Sequence, residues 1–276
     1  MRRFDGRVVV ITGAGSGIGR AAAAEFASLG ARLVLADIVP SRLEEVARSL
    51  EGEQVEVHVH TVDVGSESQM REFAQAVVDE VGAPDVLVNN AGIGIGCEVR
   101  DMSLEDWHRI VDVNYWGTVH GIHFFLPGML ERGRGHIVNI ASANGLFALP
   151  LEGAYASTKF AVVGLSEAMR AELRHAGIGV SVVCPGLTRT AILDDAMLRS
   201  SNEKLDAFLP TTRRIIARRG VDPRVVARAI PRAVVRNRAV VKVPFHVVVL
   251  DWFHRHFPWV YRQAIAWGVE KLRGDR

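Results

Sequence analysis

The stretch VVVITGAGSGIG, Val8 to Gly19, runs four apolar residues into a loop that holds four glycines. A G-x-G-x-x-G reading fails, because counting from Gly13 lands on Ile18 and counting from Gly15 lands on Arg20. The register that fits is G-x-x-x-G-x-G, on Gly13, Gly17 and Gly19, between a strand ending at Ile11 and the small-residue run AAAAEF. Such a loop lets backbone approach a pyrophosphate and presents N–H groups at a helix N-terminus, where side chains would obstruct. The alanines let that helix pack close to a sheet. The stretch therefore predicts a dinucleotide cradle and, with it, an α/β fold.

Outward from the loop, apolar β-branched runs alternate with segments of helical period. The runs are RVVVIT, RLVLAD, VEVHVHTVD, PDVLVNNAG, GHIVNIAS and GVSVVCPG; the helical segments include 17–29, 66–81, 104–126 and 153–175. Strands apolar throughout and joined by helix-length connections predict one doubly wound domain of Rossmann type. Its parallel sheet of about seven strands, AVVKVP being the last, has helices on both faces. The domain spans 1–244, with a segment over the cleft at about 188–220, read as one or two short helices without a strong strand. A helical extension occupies 245–276.

Two cysteines, Cys97 and Cys184, lie far apart without metal-ligand spacing, so neither a disulfide framework nor a metal site is signalled. This fits a reducing cytoplasm. The apolar run near the N-terminus is too short for a signal segment, and no run is long enough to span a membrane. The net charge of +2 is unevenly spread: residues 213–276 hold 15 Lys and Arg against 4 Asp and Glu.

Asp37 ends the second strand, placed to accept both ribose hydroxyls of an adenosine and to repel a 2′-phosphate. Ile38 adds no cation, so NAD is preferred over NADP; Arg20 is the nearby cation that would weaken this. Asp63 is placed to meet an adenine amino group, or else to cap a helix, with Val64 against the ring. Asn89 and Asn90 brace the sheet beside Ala91 and Gly92. Ser142 follows the fifth strand, and Tyr155 and Lys159 share a helix face at i and i+4. A close ammonium favours the tyrosine anion and lowers its pKa, which makes a proton donor and acceptor for a carbonyl or alcohol oxygen.

These motifs, T-G-x-x-x-G-I-G from Thr12 to Gly19, N-N-A-G from Asn89 to Gly92, Ser142 twelve residues before Y-x-x-x-K, and P-G at Pro185 and Gly186, resemble the short-chain dehydrogenase/reductase family. The resemblance implies hydride transfer between a nicotinamide and a carbonyl or secondary alcohol carbon. Tyr155 would be the acid/base, Ser142 would orient the substrate oxygen, and Lys159 would hold the nicotinamide ribose. Asn114 would hold a water linked to Lys159, and its poor helix propensity suggests a local kink. Ser16 and Ile18 join the three loop glycines as cofactor contacts. Leu187, with Thr188 or Thr190, would anchor the carboxamide.

The tail departs from many relatives. It is aromatic and basic, and it either lies on a bilayer interface or caps a subunit contact in a homodimer or homotetramer. Apolar Leu146, Phe147 and Leu149, with Leu193, Met197, Leu198 and Phe208 in the covering segment, point to a small lipophilic substrate: steroid-like, retinoid-like, long-chain or acyl. Two other readings share the site: an epimerase or dehydratase that retains NAD, and a non-catalytic NAD-sensing protein. Nucleic acid is not expected as a partner.

Overall fold

The structure is a computed structural model and describes residues 4–190, 197–199, 214 and 218–273. Seven parallel strands form the main sheet: β1 (Val8–Thr12), β2 (Arg32–Asp37), β3 (Val57–Thr61), β4 (Val86–Asn89), β6 (Gly135–Ile140), β7 (Ile178–Pro185) and β9 (Val240–Val243). Their order is β3-β2-β1-β4-β6-β7-β9, so the winding reverses between β1 and β4 and opens a crevice at the carboxyl ends there.

Alternate residues along each strand feed opposite cores. Val9, Ile11, Leu33 and Leu35 pack on one face with Ala22, Ala23 and Phe26 of α1 (Gly17–Ser28). Val8, Val10, Val34 and Ala36 face the other way, onto Met70, Phe73 and Val77 of α3 (Glu67–Val81) and Phe125 of α5 (Gly117–Glu131). Because both faces are covered, the inner strands β1, β2 and β4 read as near-continuous apolar runs. α2 (Pro40–Ser49) joins β2 to β3, and α6 (Gly153–Glu172) joins β6 to β7.

The 104–126 segment is not one helix. A capping box of Ser103 and Asp106 starts α4 (Leu104–Val111), which passes through a π-helical turn, Asp112–Trp116, into α5. The kink expected at Asn114 is this turn, and its wider ring turns the Asn114 side chain inward.

The covering segment corrects one expectation. Met197–Arg199 is a strand, β8, paired in parallel with β5 (Ile95–Cys97). Three residues anchored to an edge need little β propensity of their own, so composition hid them. The Leu193 and Phe208 expectations lie outside the described residues. After α7 (Pro223–Ala227), α8 (Ala229–Arg236) and β9 come two tail helices, α9 (Phe245–His256) and α10 (Pro258–Arg273). Asp251 fixes α9 to the sheet, its buried carboxylate meeting Lys242 of β9 and Arg255. Among the described residues, no helix is long and apolar enough to cross a membrane.

Candidate active site

One wall of the carboxyl-end crevice is the glycine loop. Gly13 and Gly17 adopt left-handed backbone (φ 63° and 51°) that favours glycine. A Cβ on Gly19 would stand 2.1 Å from the Gly13 carbonyl oxygen, so no side chain fits there. Asn90 staples this loop: its Nδ2 donates to the carbonyls of Thr12 and Gly13, each at 3.0 Å. Thr12 Oγ1 in turn accepts from the backbone of Asn90 and Ala91. Asn89 reaches a side chain instead, donating to Asn139 at 2.9 Å, and Asn139 donates on to Ser166.

The crevice, of about 760 Å³, is lined by Gly13, Ser16, Gly17, Ile18, Asp37, Asp63, Val64, Asn90, Ala91, Gly92, Ser142, Tyr155, Lys159, Pro185, Gly186, Thr188 and Thr190. Three of the sequence candidates lie off its wall. Gly19 sits behind the loop, Asn114 is buried beneath the floor, and Leu187 is exposed. Asp37 accepts from the backbone of Gly15 at 2.9 Å and of Val39 at 3.0 Å, which fixes its carboxylate at the end of β2. Asp63 does not cap α3; Ser66 does, and Asp63 closes a loop by accepting from Gly65.

Two expectations need correcting here. Arg20 pairs with Glu45 across the surface, and the crevice-lining cation near Gly15 and Asp37 is Arg42. Sequence reading missed Arg42 because it enters from the first turn of α2. Leu146 and Phe147 do not line the crevice either. The turn Ala143–Gly145 sends them into a core with Val162, Val182 and Val247.

At the far end stand the chemical groups. Lys159 is buried, with Nζ donating to the Ile140 carbonyl at 3.1 Å and lying 5.6 Å from the Tyr155 ring centre. Asn114 Oδ1 accepts from Ile93 N at 2.8 Å, and its Nδ2 donates to Ile93 O and to Thr158. A Cβ on Gly92 would lie 3.2 Å from Asn114 Oδ1 and 3.4 Å from Lys159 Nζ, so that glycine leaves room between them. Thr188 Oγ1 donates to the Gly186 carbonyl, and Thr190 packs under Gly17.

The electrostatics run against one expectation. Burial pushes the Tyr155 hydroxyl above the usual phenol range; its hydrogen bond with Ser142 opposes this and the Glu152 carboxylate adds to it. Desolvation of the phenolate is the largest influence on this hydroxyl. Burial likewise pulls Lys159 down to about 8.

The residues present fit a dinucleotide. The loop glycines leave a cradle that a Cβ would fill, and the Asp37 carboxylate lines the crevice beside it. Among the described residues no group of His, Cys, Asp or Glu could hold a metal. Similarity to known proteins agrees. The short chain dehydrogenase family model matches residues 7–200. SadH of Mycobacterium tuberculosis, classed as an oxidoreductase, is 36% identical over 274 residues, 99% of this chain and 98% of its own. A Burkholderia phymatum short chain dehydrogenase/reductase in complex with NAD superposes with a TM-score of 0.86 at 33% identity, covering 95% of this chain and 97% of that one. A metagenomic short-chain oxidoreductase in complex with NADP gives 0.70 at 28% identity, covering 87% and 96%. With the glycine cradle, the serine, tyrosine and lysine at one end of it, and this agreement over nearly the whole length, the chain belongs to the short-chain dehydrogenase/reductase family of nicotinamide-dependent oxidoreductases.

Proposed function

We propose that the protein transfers a hydride between NAD(H) and a lipophilic secondary alcohol or ketone, with Tyr155 as acid/base. The observation that carries this is the meeting of Ser142, Tyr155 and Lys159 at one end of the glycine-walled crevice. The nicotinamide supplies the hydride acceptor or donor. Ser142 and Tyr155 hold the substrate oxygen between them, and the phenol passes the proton. Lys159 would hold the nicotinamide ribose, and Asn114 would hold a water linked to Lys159.

NAD is favoured over NADP by the Asp37 carboxylate, held toward the crevice by two backbone N–H groups. Arg42 works against this, since a guanidinium suits a 2′-phosphate. The lipophilic character rests on the tail, whose Val247 packs against Gly186 and whose Tyr261 reaches the Ala148 carbonyl. The activity is tested by the absorbance of reduced nicotinamide with a panel of hydrophobic alcohols and each dinucleotide. Turnover without net absorbance change would turn the reading to an epimerase or dehydratase.

For the tail we infer contact with an anionic bilayer surface from a cytoplasmic location. Phe245, Trp252, Trp259 and Trp267 are exposed on α9 and α10, interleaved with Arg255, Arg262 and Lys271. Aromatic rings with basic groups suit an interface of apolar chains and anionic headgroups. Salt-sensitive sedimentation with anionic vesicles supports it; a homodimer or homotetramer that buries these tryptophans and ignores vesicles sinks it.

A further inference from the structure

The two helices that lead into β9 carry a ridge of arginines. α7 and α8 run on through Arg228, whose backbone is helical (φ −62°, ψ −23°) and whose N–H donates to the Arg224 carbonyl at 3.0 Å. The helical ladder is interrupted there because Pro231 has no N–H to give the Ala227 carbonyl. One face is buried through Val226, Ala227, Ile230 and Ala233, in the core shared with α1. The other carries Arg224, Arg228, Arg232 and Arg236, all exposed and four residues apart. At the rise of a helix they stand about 6 Å apart along the axis, over a run of about 18 Å.

No Asp or Glu occurs between Asp222 and Asp251. Both of those are engaged: Asp222 Oδ1 accepts from the Arg224 backbone N–H and its Oδ2 lies 3.9 Å from Arg189, while Asp251 meets Lys242 and Arg255. Among the described residues no carboxylate pairs with any of the four guanidinium groups. Like charges at i and i+4 repel on a helix, and a cation in the first turn, as at Arg224, opposes the helix dipole. The free protein carries both costs, and an anionic partner removes them. Arginine adds geometry to the charge, since its planar fork takes a carboxylate through two parallel hydrogen bonds where lysine offers a point charge.

We propose that the ridge on α7 and α8 docks an acidic helix of a partner protein, with Asp or Glu at its own four-residue intervals. Four residues carry a helix about 40° past a full turn, so Arg224 and Arg236 leave the axis about 120° apart. A flat surface meets only part of such a ridge, whereas a second helix crossing at an angle lays its own four-residue row along it. The ridge also lacks what a bilayer contact uses. Residues 223–236 hold no aromatic, and Val225 is their one exposed large apolar side chain, against the tryptophans of the tail. The docked helix lies near the rim of the crevice, because Val221, just before α7, is bonded to the backbone of Leu187 and Arg189 on either side of the crevice-lining Thr188.

The probe is a synthetic alanine-based helix of about 20 residues with glutamate at every fourth position, compared with its isomer whose glutamates are spread around the helix. Fluorescence anisotropy against the full chain should show the first binding at least about tenfold more tightly, and loosening as salt is raised. Arg228→Ala combined with Arg232→Ala should weaken it by about fivefold or more. Alanine is the better helix former, so circular dichroism and melting should show no loss of fold. A charge-matched pair in the tail, Arg262→Ala with Lys271→Ala, should leave the peptide's affinity unchanged. Dinucleotide affinity should stay equal in the ridge pair, whose side chains do not line the crevice, so the result stands apart from the dehydrogenase reading. Equal affinity for the two isomers, or equal weakening in the ridge and tail pairs, would reduce the effect to net positive charge and overturn the proposal. Sedimentation with anionic vesicles that the ridge pair loses and the tail pair keeps would overturn it as well, by making the ridge a bilayer contact. So would duplex DNA that displaces the peptide from the native protein and fails to bind the ridge pair.

Discussion

Strand β6 has a buried basic group at each end. At its start, His136 is packed beneath Gly179, and its Nε2 meets the Ser181 hydroxyl at 2.8 Å. At its finish, Lys159 hangs from the Ile140 carbonyl by a single bond of 3.1 Å. Burial lowers the pKa of both, the histidine to about 4 and the lysine to about 8. The same desolvation has opposite consequences. At neutral pH the histidine is neutral and its Nε2 is paired with the Ser181 hydroxyl, so the amino end of the sheet carries no buried charge. The lysine still carries a proton there and has one bond to show for it, so the carboxyl end holds an unrepaid cost, as functional sites do.

The largest expected effect tests the carboxyl end itself. Tyr155→Phe removes the hydroxyl that pairs with Ser142, and kcat/KM should fall by about 10²–10⁴, the usual contribution of a positioned acid/base. Binding of the dinucleotide, read by fluorescence, should change less than about threefold, because the phenol is poised for the substrate oxygen. Native activity in Tyr155→Phe would remove the proposed mechanism.

Lys159→Met sharpens the contrast by separating function from stability. The variant removes a charged group that burial disfavours, and it also removes a donor from the Ile140 carbonyl. The net gain should be about 1–2 kcal/mol at pH 7, seen as a melting temperature about 2–6 °C higher. Activity should fall by at least about 10²-fold. A protein that loses both activity and stability would show the lysine to be a structural strut, with no cost stored at this end.

How much of this the chain discloses depends on how far apart the partners lie. The seven-strand sheet was legible because its central strands are mostly apolar on both faces, and that pattern survives without knowledge of neighbours. The cradle and the Tyr155 and Lys159 pair were legible because their parts stand a few residues apart on one element. The contacts that set the electrostatics were not. Asn89 finds Asn139 fifty positions away, and Asn144 meets Glu152 only because the 146–152 segment doubles back through Leu151. Arg42 reaches the crevice from a different helix than Arg20, which a linear reading favoured. The same folding back took Leu146 and Phe147 from the substrate side into the core. Spacing also suggests that a lysine near a tyrosine lowers its pKa; only the burial of both reverses that sign.

The amino end makes a prediction of smaller size with a definite pH window. Burial first, and the Arg170 charge second, hold the folded His136 pKa near 4, below its usual 6.5. Since the unfolded state binds the extra proton between those values, stability is fully present above about 6.5 and is lost as pH falls toward 4. The limit is about 3 kcal/mol for this group. Urea melts across that window measure it. His136→Gln, although less stable at neutral pH, should show a flatter acid slope; an unchanged slope would assign the acid sensitivity to the carboxylates.

The smallest effect asks whether the tail belongs to the costly end. Tyr261 of α10 donates its hydroxyl to the Ala148 carbonyl at 3.0 Å, while its ring lies 6.1 Å from Phe147 and 4.8 Å from His254. Tyr261→Phe keeps the ring contacts and deletes the bond alone, so the loss should be about 0.5–1.5 kcal/mol, or roughly 1–4 °C in melting temperature. The Ala148 carbonyl belongs to the loop between Ser142 and Glu152, so loosening it should raise the substrate KM more than it lowers kcat. Dinucleotide affinity should stay put, since the glycine loop lies on the other wall. A tail that merely rests on the domain would shift none of these. A shift in melting alone would make Tyr261 a strut with no part in shaping the crevice. A rise in KM would join α10 to the working end of the sheet, whose polar groups it helps to keep from water.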